Sequence, residues 1–163
     1  MTLTRLHNEA WGFESNCFVC EPRNTAGLAI PFFHDDEADT VVAEFTLGTE
    51  FSGAPSYVHG GVTLAVLDEA QAWATIAVGG KFAVSLETTT RFKRPILVGE
   101  PYTVAARLTD KTADHLTTSA EVRNADGKRC AETTATFAVL SAATAVEALG
   151  AEASGSDADY LKD

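Results

Sequence analysis

The residues with the clearest chemical potential in this sequence are a diglycine and a carboxylate that follows it. Gly60-Gly61 comes directly after His59, and Asp68 lies nine residues after the histidine, within an apolar stretch. Because glycine has no side chain, a ligand can approach the backbone closely there, and a helix beginning at this point would direct free N–H groups at that ligand. Backbone N–H groups beside a carboxylate are what acyl transfer requires, so the pattern indicates a site for acyl chemistry.

Residues 62–78 are predicted to form the helix that carries this carboxylate. The segment contains no proline and no internal glycine, and Gly79-Gly80 ends it. It is apolar on nearly every side, which is typical of a buried helix. Gly61 precedes Asp68 by seven residues, so the two lie on the same face. A narrow polar stripe on this helix consists of Asp68, Gln71 and Thr75.

Strand-like runs lie before and after the helix, at residues 27–33, 40–47, 82–96, 102–108, 115–123 and 129–140. Because short turns such as residues 124–127 join consecutive runs, neighbouring strands are expected to pair antiparallel. One curled antiparallel sheet wrapped around the long central helix is the simplest way to bury that helix, so the predicted fold class is α+β. We expect one domain over residues 25–140, an irregular N-terminal arm over 1–24, and a partly disordered C-terminal tail over 141–163.

Composition and charge exclude several classes of partner. The 163 residues suit one domain, and the net charge of −11 argues against binding nucleic acid or anionic membrane surfaces, which are polyanions. No stretch approaches the roughly 20 apolar residues of a membrane span. The first residues do not resemble a signal peptide, so a cytoplasmic location is expected.

Cys17 and Cys20 have a spacing that is found in metal sites. A closed zinc site needs four ligands, and neither Cys130 nor the histidines stand at a metal-site spacing from this pair. The odd number of cysteines also argues against a disulfide framework. We therefore expect no metal and no other cofactor.

Three stretches of the sequence together match one known family. They are the His59-Gly60-Gly61 tripeptide with Asp68 at the family's distance, the run 85–95, and the early 17–20 segment leading into Gly27-Leu28. Over about residues 15–140 the chain resembles the hotdog-fold thioesterases, specifically the branch that includes the phenylacetate-pathway (PaaI-like) thioesterases. The resemblance implies hydrolysis of an acyl-CoA thioester to the free acid and CoA by a homodimer or homotetramer.

The resemblance also implies roles for individual residues. The carboxylate matching Asp68 acts as nucleophile or as general base on water, and the N–H at Gly60, alone or with Gly61, polarises the thioester carbonyl. Ser85 would orient the water or the carboxylate, and His59 would mainly shape the turn. The family's active site lies across a dimer interface. Glu69, one residue further round the helix, is the weaker candidate for the chemistry.

Strand alternation bears on where Ser85 lies. It places Phe82, Val84 and Leu86 on one face of their strand, and Ser85 on the other. Ser85 is then expected to face away from the helix of its own chain. This placement fits a site that Ser85 reaches from a second subunit, and it also fits an exposed serine.

Substrate contacts are predicted from charge and apolar character. Arg91, Lys93 and Arg94 form the densest basic cluster in an acidic chain, and we expect them to contact the phosphates of CoA. Trp73, together with Phe82 and Phe92, is a candidate for lining an apolar pocket. The sequence does not distinguish among aryl, short-chain and long-chain acyl groups as the substrate.

Other functions fit parts of the same pattern. A hotdog dehydratase acting on hydroxyacyl thioesters is the nearest, although its spacing of a catalytic histidine with a helix carboxylate is not evident. A non-catalytic acyl-CoA sensor would bind the ligand without turnover. A purely structural assembly protein would leave Asp68 without a purpose.

Overall fold

One antiparallel sheet and one long helix make up most of the fold. The computed structural model describes residues 2–9, 11–154 and 160–161. In chain order its elements are β1 (Leu3–Leu6), β2 (Phe32–Asp35), β3 (Thr40–Phe45), α1 (Gly60–Ala77), β4 (Ala83–Phe92), β5 (Tyr102–Lys111), β6 (His115–Asn124), β7 (Arg129–Val139) and α2 (Ala142–Leu149).

The strands form a single sheet in the order β1-β2-β3-β5-β6-β7-β4. Every neighbouring pair is antiparallel, and α1 lies against strands β2 to β7. The predicted α+β hotdog architecture, a curled sheet around a long central helix, is thereby confirmed. Within the described residues, no helix has the length and apolar character needed to cross a membrane.

The apolar faces of α1 and of the sheet form the core. Val66, Leu67 and Ala70 of α1 are fully buried, as are Val104 of β5 and Val122 of β6. Complete burial of a valine or leucine side chain stabilises a fold by about 1.5–3 kcal/mol. This packing fixes the rotation of α1 against the sheet, and so fixes where its polar side chains point.

Two members of the polar stripe on α1 are structural. Gln71 is buried and its Nε2 donates to Thr118 Oγ1 of β6 at 2.8 Å. Thr75 is also buried, and its Oγ1 donates to the carbonyl oxygen of Ala72 at 2.7 Å. Because buried polar groups need such partners, these two side chains have a structural role. Asp68 is the member of the stripe that remains available for catalysis.

The N-terminal region is more ordered than the irregular arm that the sequence predicts. Residues Leu3–Leu6 form β1, which pairs with β2, and Trp11 and Val19 are buried in the main core. The predicted first strand at residues 27–33 is wrong over most of its length, since β2 begins only at Phe32. Backbone N–H groups of Leu28 and Ile30 instead donate to the carbonyls of Phe18 and Val19, at 2.8 and 2.9 Å, so this stretch pairs with the N-terminal segment.

The C-terminal region begins with a defined helix. Ser141 caps α2 by accepting the N–H of Thr144, and Gly150 ends the helix with a φ of 77°. A left-handed residue after the last turn is a common helix stop, for which glycine is best suited. The tail predicted to be partly disordered spans residues 141–163, of which residues 155–159 and 162–163 lie outside the described residues.

Candidate active site

His59 is the N-cap of α1. Its backbone is extended, with φ −59° and ψ 132°, and its Nδ1 accepts the N–H of Gly61 at 2.9 Å. An imidazole nitrogen that accepts a hydrogen bond carries no proton, so in the neutral ring the proton lies on Nε2. The structure therefore places His59 in the turn-shaping position that the resemblance implies, with neither ring nitrogen free to act as a base while the cap is formed.

The two glycines of the motif differ in what they offer. The N–H of Gly61 is used by the His59 cap, and a Cβ on Gly61 would lie only 3.1 Å from His59 Nδ1. In the part of the chain that the structure describes, no acceptor engages the N–H of Gly60, and a Cβ there would meet only the Phe92 ring, at 3.8 Å. Gly60 therefore presents the available N–H at the positive end of the helix dipole.

Asp68 and Ser85 form a hydrogen-bonded pair within one chain. Ser85 Oγ donates to Asp68 Oδ1 at 2.6 Å, and the Asp68 side chain is half-buried. A short charge-assisted bond of this kind fixes the orientation of a carboxylate. The structure thus brings together the proposed nucleophile or base and its proposed orienting residue.

The expectation that Ser85 faces away from its own helix is wrong, because Val84, on the opposite face of β4 from Ser85, is exposed and does not pack on α1. Ser85 pairs with Phe137 of β7 and Glu87 pairs with the adjacent Thr136, so Leu86 is an extra residue without a partner. Cross-strand partners share a face of the sheet, and Phe137 is buried on the helix side. Ser85 therefore lies beneath α1, and the alternation is reversed only after Leu86.

Glu69 faces the N-terminal segment and not Ser85. Cys17 Sγ donates to Glu69 Oε1 at 3.3 Å, and Cys20 lies beside them. Burial, followed by the charge of Cys17, raises the pKa of Glu69 to about 8. The hydrogen bond between the two thiols lowers the pKa of Cys17 to about 5 and raises that of Cys20. The two adjacent carboxylates therefore have different partners: Asp68 bonds to Ser85, and Glu69 contacts the cysteines.

The predicted basic cluster borders two different cavities. Lys93 and Arg94 border a cavity of about 280 Å³ that Gly60 also lines. Arg91 instead lines a cavity of about 630 Å³ on the outer face of the sheet, beside Arg107. Glu132 also lines this larger cavity and pairs with Lys93, so Lys93 contacts both places, and the structure does not bring all three cations to the cavity beside Gly60.

Lys93 and Arg94 are themselves partly engaged. Lys93 Nζ forms an ion pair with Glu132 at 3.1 Å, and the Arg94 guanidinium donates to the carbonyl oxygen of Arg129 at 2.5 Å. Both side chains keep unused donors, because a lysine carries three and an arginine five. They are the cations that stand nearest the free N–H of Gly60 in this cavity.

Trp73 lies in the apolar interior next to the N-terminal segment. It is buried and meets Trp11 edge to face, with ring centroids 6.0 Å apart. Trp73 and Phe82 line a cavity of about 250 Å³, whereas Phe92 is exposed and lies beside Gly60. The three aromatic residues suggested for one apolar pocket therefore lie in two places.

Comparisons with known proteins connect this geometry to a family. A family model described as Thioesterase superfamily matches residues 56–131, which include the diglycine, Asp68 and Ser85. A crystal structure described as that of a thioesterase superfamily protein is 30% identical, with a TM-score of 0.67, and the match covers 72% of this chain and 57% of that one. This chain thus spans little more than half the length of that relative. Among curated proteins, none matches.

Two further solved structures bear on the ligand. A phenylacetic acid degradation-related protein from Ralstonia eutropha is 27% identical, with a TM-score of 0.61, and the match covers 69% of this chain and 86% of that one. A Streptococcus mutans protein bound to acetyl-CoA is 18% identical, with a TM-score of 0.60, and the match covers 63% of this chain and 82% of that one. The latter shows a likeness of fold alone.

Proposed function

This chain is a hotdog-fold protein that resembles the thioesterase superfamily, including its phenylacetate-related members, and we propose that it hydrolyses an acyl-CoA thioester to the free acid and CoA. The observation that carries the proposal is the 2.6 Å bond from Ser85 Oγ to Asp68 Oδ1, because it orients a carboxylate on an otherwise apolar helix. The free N–H of Gly60 supplies the second element, an oxyanion donor.

The helix geometry supports a site that takes its two elements from two chains. Gly60 and Asp68 are eight residues apart, which is about 12 Å along a helix. The N–H of Gly60 points away from Asp68, beyond the helix N-terminus, and a carbonyl carbon lies only about 1.2 Å from its oxygen. One thioester carbonyl therefore cannot contact both groups of a single chain, and we infer that Gly60 of one subunit faces Asp68 and Ser85 of its partner.

The exposed edge of β4 supports a dimer. In the described part of the chain β4 pairs only with β7, and its other edge is open. Val84, Leu86 and Phe92 of this strand are 47%, 58% and 56% exposed. An open edge with exposed apolar side chains invites pairing with another strand. A second copy of β4 would cover it and would bring the two helices side by side, as a homodimer or as half of a homotetramer.

The proposed reaction proceeds by addition and elimination. The thioester carbonyl oxygen accepts the N–H of Gly60. Asp68 either attacks the carbonyl carbon or takes a proton from a water molecule that attacks it. Negative charge collects on the carbonyl oxygen, the C–S bond then breaks, and the sulfur leaves as the CoA thiol after it takes up a proton. When Asp68 is the nucleophile, water hydrolyses the resulting anhydride and restores the carboxylate.

The substrate contacts follow from the surroundings of Gly60. Lys93 and Arg94, in the cavity shared with Gly60, are the residues that we assign to the phosphates of CoA. A relative of the same fold was crystallised with acetyl-CoA, which supports an acyl-CoA ligand. The cytoplasmic location predicted from the sequence stays a prediction.

The dehydratase alternative is less well supported by the geometry. It requires a histidine that can accept a proton, and both nitrogens of the capped His59 are engaged or protonated. An assay with enoyl and saturated thioesters separates the two activities. We expect thiol release from saturated acyl-CoA and no hydration of the enoyl substrate.

Mixed variants test the shared site directly. In an exchanged 1:1 mixture of Gly60→Pro and Asp68→Asn chains, half of the dimers are hybrids and one of their two sites is intact, so about a quarter of wild-type activity should return. A matched mixture of Asp68→Asn with Ser85→Ala should show no recovery, because those two residues serve one site from one chain. Equal recovery in both mixtures, or in neither after verified subunit exchange, would contradict this arrangement.

A further inference from the structure

Three potential metal ligands meet where the N-terminal segment crosses α1. Ligand atoms of Cys17, Cys20 and Glu69 all lie within 4.8 Å of one another, and Cys17 Sγ is 3.3 Å from Glu69 Oε1. In a tetrahedral zinc site, with Zn–S near 2.3 Å and Zn–O near 2.1 Å, ligand atoms stand about 3.6–3.8 Å apart. Shifts of about an ångström would therefore convert this cluster into a coordination shell.

We propose that Cys17, Cys20 and Glu69 bind a zinc ion, whose fourth position faces the cavity beside Trp73. Cys17, Glu69 and Trp73 all line that cavity, so a water molecule or a small ligand has room there. Thiolates select a soft or borderline cation, which favours Zn²⁺ over Mg²⁺ or Ca²⁺. Binding would displace the thiol protons to solvent. This site does not depend on the proposed hydrolysis.

The backbone around the cysteines is arranged for a sulfur ligand. The N–H groups of Val19 and Cys20 both point at Cys17 Sγ, at 3.4 Å each. Such bonds stabilise negative charge on sulfur and hold a ligand in place. The turn is anchored on both sides, since Val19 is buried in the core and the buried Glu21 is paired with Arg23 at 2.6 Å.

The cluster also lacks a compensating cation. Cys17, Cys20 and Glu69 can all become anions, yet within residues 2–9, 11–154 and 160–161 no lysine or arginine forms an ion pair with Glu69. The three groups are half-buried, and anionic groups without a paired cation favour coordination of a metal. A divalent cation at the centre of the three groups would satisfy all of them at once.

Metal titration of the full chain tests the proposal. The protein is kept reduced, stripped with a chelator, and titrated with Co²⁺ and then Zn²⁺. We expect one Co²⁺ per chain, with thiolate-to-cobalt charge-transfer bands and tetrahedral d–d bands, and displacement by Zn²⁺. At a free zinc concentration 100 times the Kd, the melting temperature should rise by about 5–10 °C.

Variants identify the ligands. Cys20→Ser should remove the charge-transfer bands of its sulfur and weaken binding by more than about 100-fold, and Glu69→Gln, which keeps both thiols, should weaken it by at least about 10-fold. Cys130→Ala is the matched control, because Cys130 is a buried thiol remote from the cluster, and it should bind as the wild type does. Circular dichroism checks that each variant is folded.

Three results would overturn the zinc site. The first is a reduced wild-type chain that binds neither ion more tightly than micromolar. The second is a Cys20→Ser spectrum identical to the wild type. The third is a chain that takes up no metal but joins Cys17 to Cys20 on mild oxidation, which would identify a redox pair.

Discussion

Replacing Gly60 by proline would remove one N–H and little else. Gly60 is the first residue of α1, the helical position at which proline is favoured. The preceding His59, with φ −59° and ψ 132°, already has the conformation that a residue before proline adopts. The N–H of Gly60 bonds to no described residue, and a Cβ would meet only the Phe92 ring at 3.8 Å. The folded state should therefore accept this substitution.

The catalytic cost should be large. Loss of a single oxyanion donor typically lowers kcat by about 10²–10³, or about 2.7–4 kcal/mol of barrier. The assay is thiol release from saturating acyl-CoA, with aryl, short-chain and long-chain substrates tested first on the wild type. Gly60→Ala is the matched control, because it adds the Cβ and keeps the N–H, so it should retain most of its turnover.

Thermal unfolding separates catalysis from stability. A proline in a compatible backbone conformation stabilises a protein by about 0.4–1 kcal/mol, so the melting temperature of Gly60→Pro should not fall. A Gly60→Pro variant with the melting temperature and the kcat of the wild type would refute the oxyanion assignment. An equal loss of turnover in Gly60→Ala would show instead that bulk at this position, and not the N–H, is what matters.

Three further substitutions test the remaining parts of the site. Asp68→Asn should lower kcat by about 10²–10⁴ while the melting temperature is maintained, and a fully active variant would exclude Asp68 from the chemistry. Ser85→Ala removes a hydrogen bond to a charged group, worth about 1.5–3 kcal/mol, so kcat should fall about 10- to 100-fold; a change confined to KM would argue against orientation. Gly61→Ala should lower the melting temperature by about 2–4 °C through loss of the His59 cap, an effect that Gly60→Ala should not show.

Local patterns in the sequence were sufficient for the central helix and the sheet. The helix at α1 is recognisable because it is long, uninterrupted and ended by a diglycine, and β5, β6 and β7 are recognisable because short turns separate them. β1 could not be predicted in this way, since Leu3–Leu6 shows no regular alternation of polarity and is stabilised only by pairing with β2, which is distant in the sequence. The motif at residues 59–68 was visible because its members lie on one element.

The parts of the site that the sequence did not reveal depend on contacts between distant residues. Cys17 and Glu69 are separated by 52 positions, and nothing in either segment indicates that they touch. The position of Ser85 was misjudged because the face of β4 that carries the apolar Val84 and Leu86 is exposed, and the sequence alone does not show that an apolar strand face lies away from the helix. The placement of Arg91 in the larger cavity and of Arg94 beside Gly60 likewise depends on the register of β4 with β7, which the sequence does not show.

Leu86, the extra residue of the bulge in β4, reverses which positions of the strand face the helix. Before Leu86 the odd-numbered positions face the helix, and after it the even-numbered positions do. The strand can therefore place a polar hydroxyl beneath α1 in its first half and still direct the Phe92 ring to the same side in its second. Deleting Leu86 would join Ser85 to Glu87, whose partners Phe137 and Thr136 are already adjacent, so every later residue of β4 would keep its partner and its face. Natural or designed relatives should therefore tolerate the loss of Leu86, with the Ser85 hydroxyl and the Phe92 ring still on the helix side of the strand.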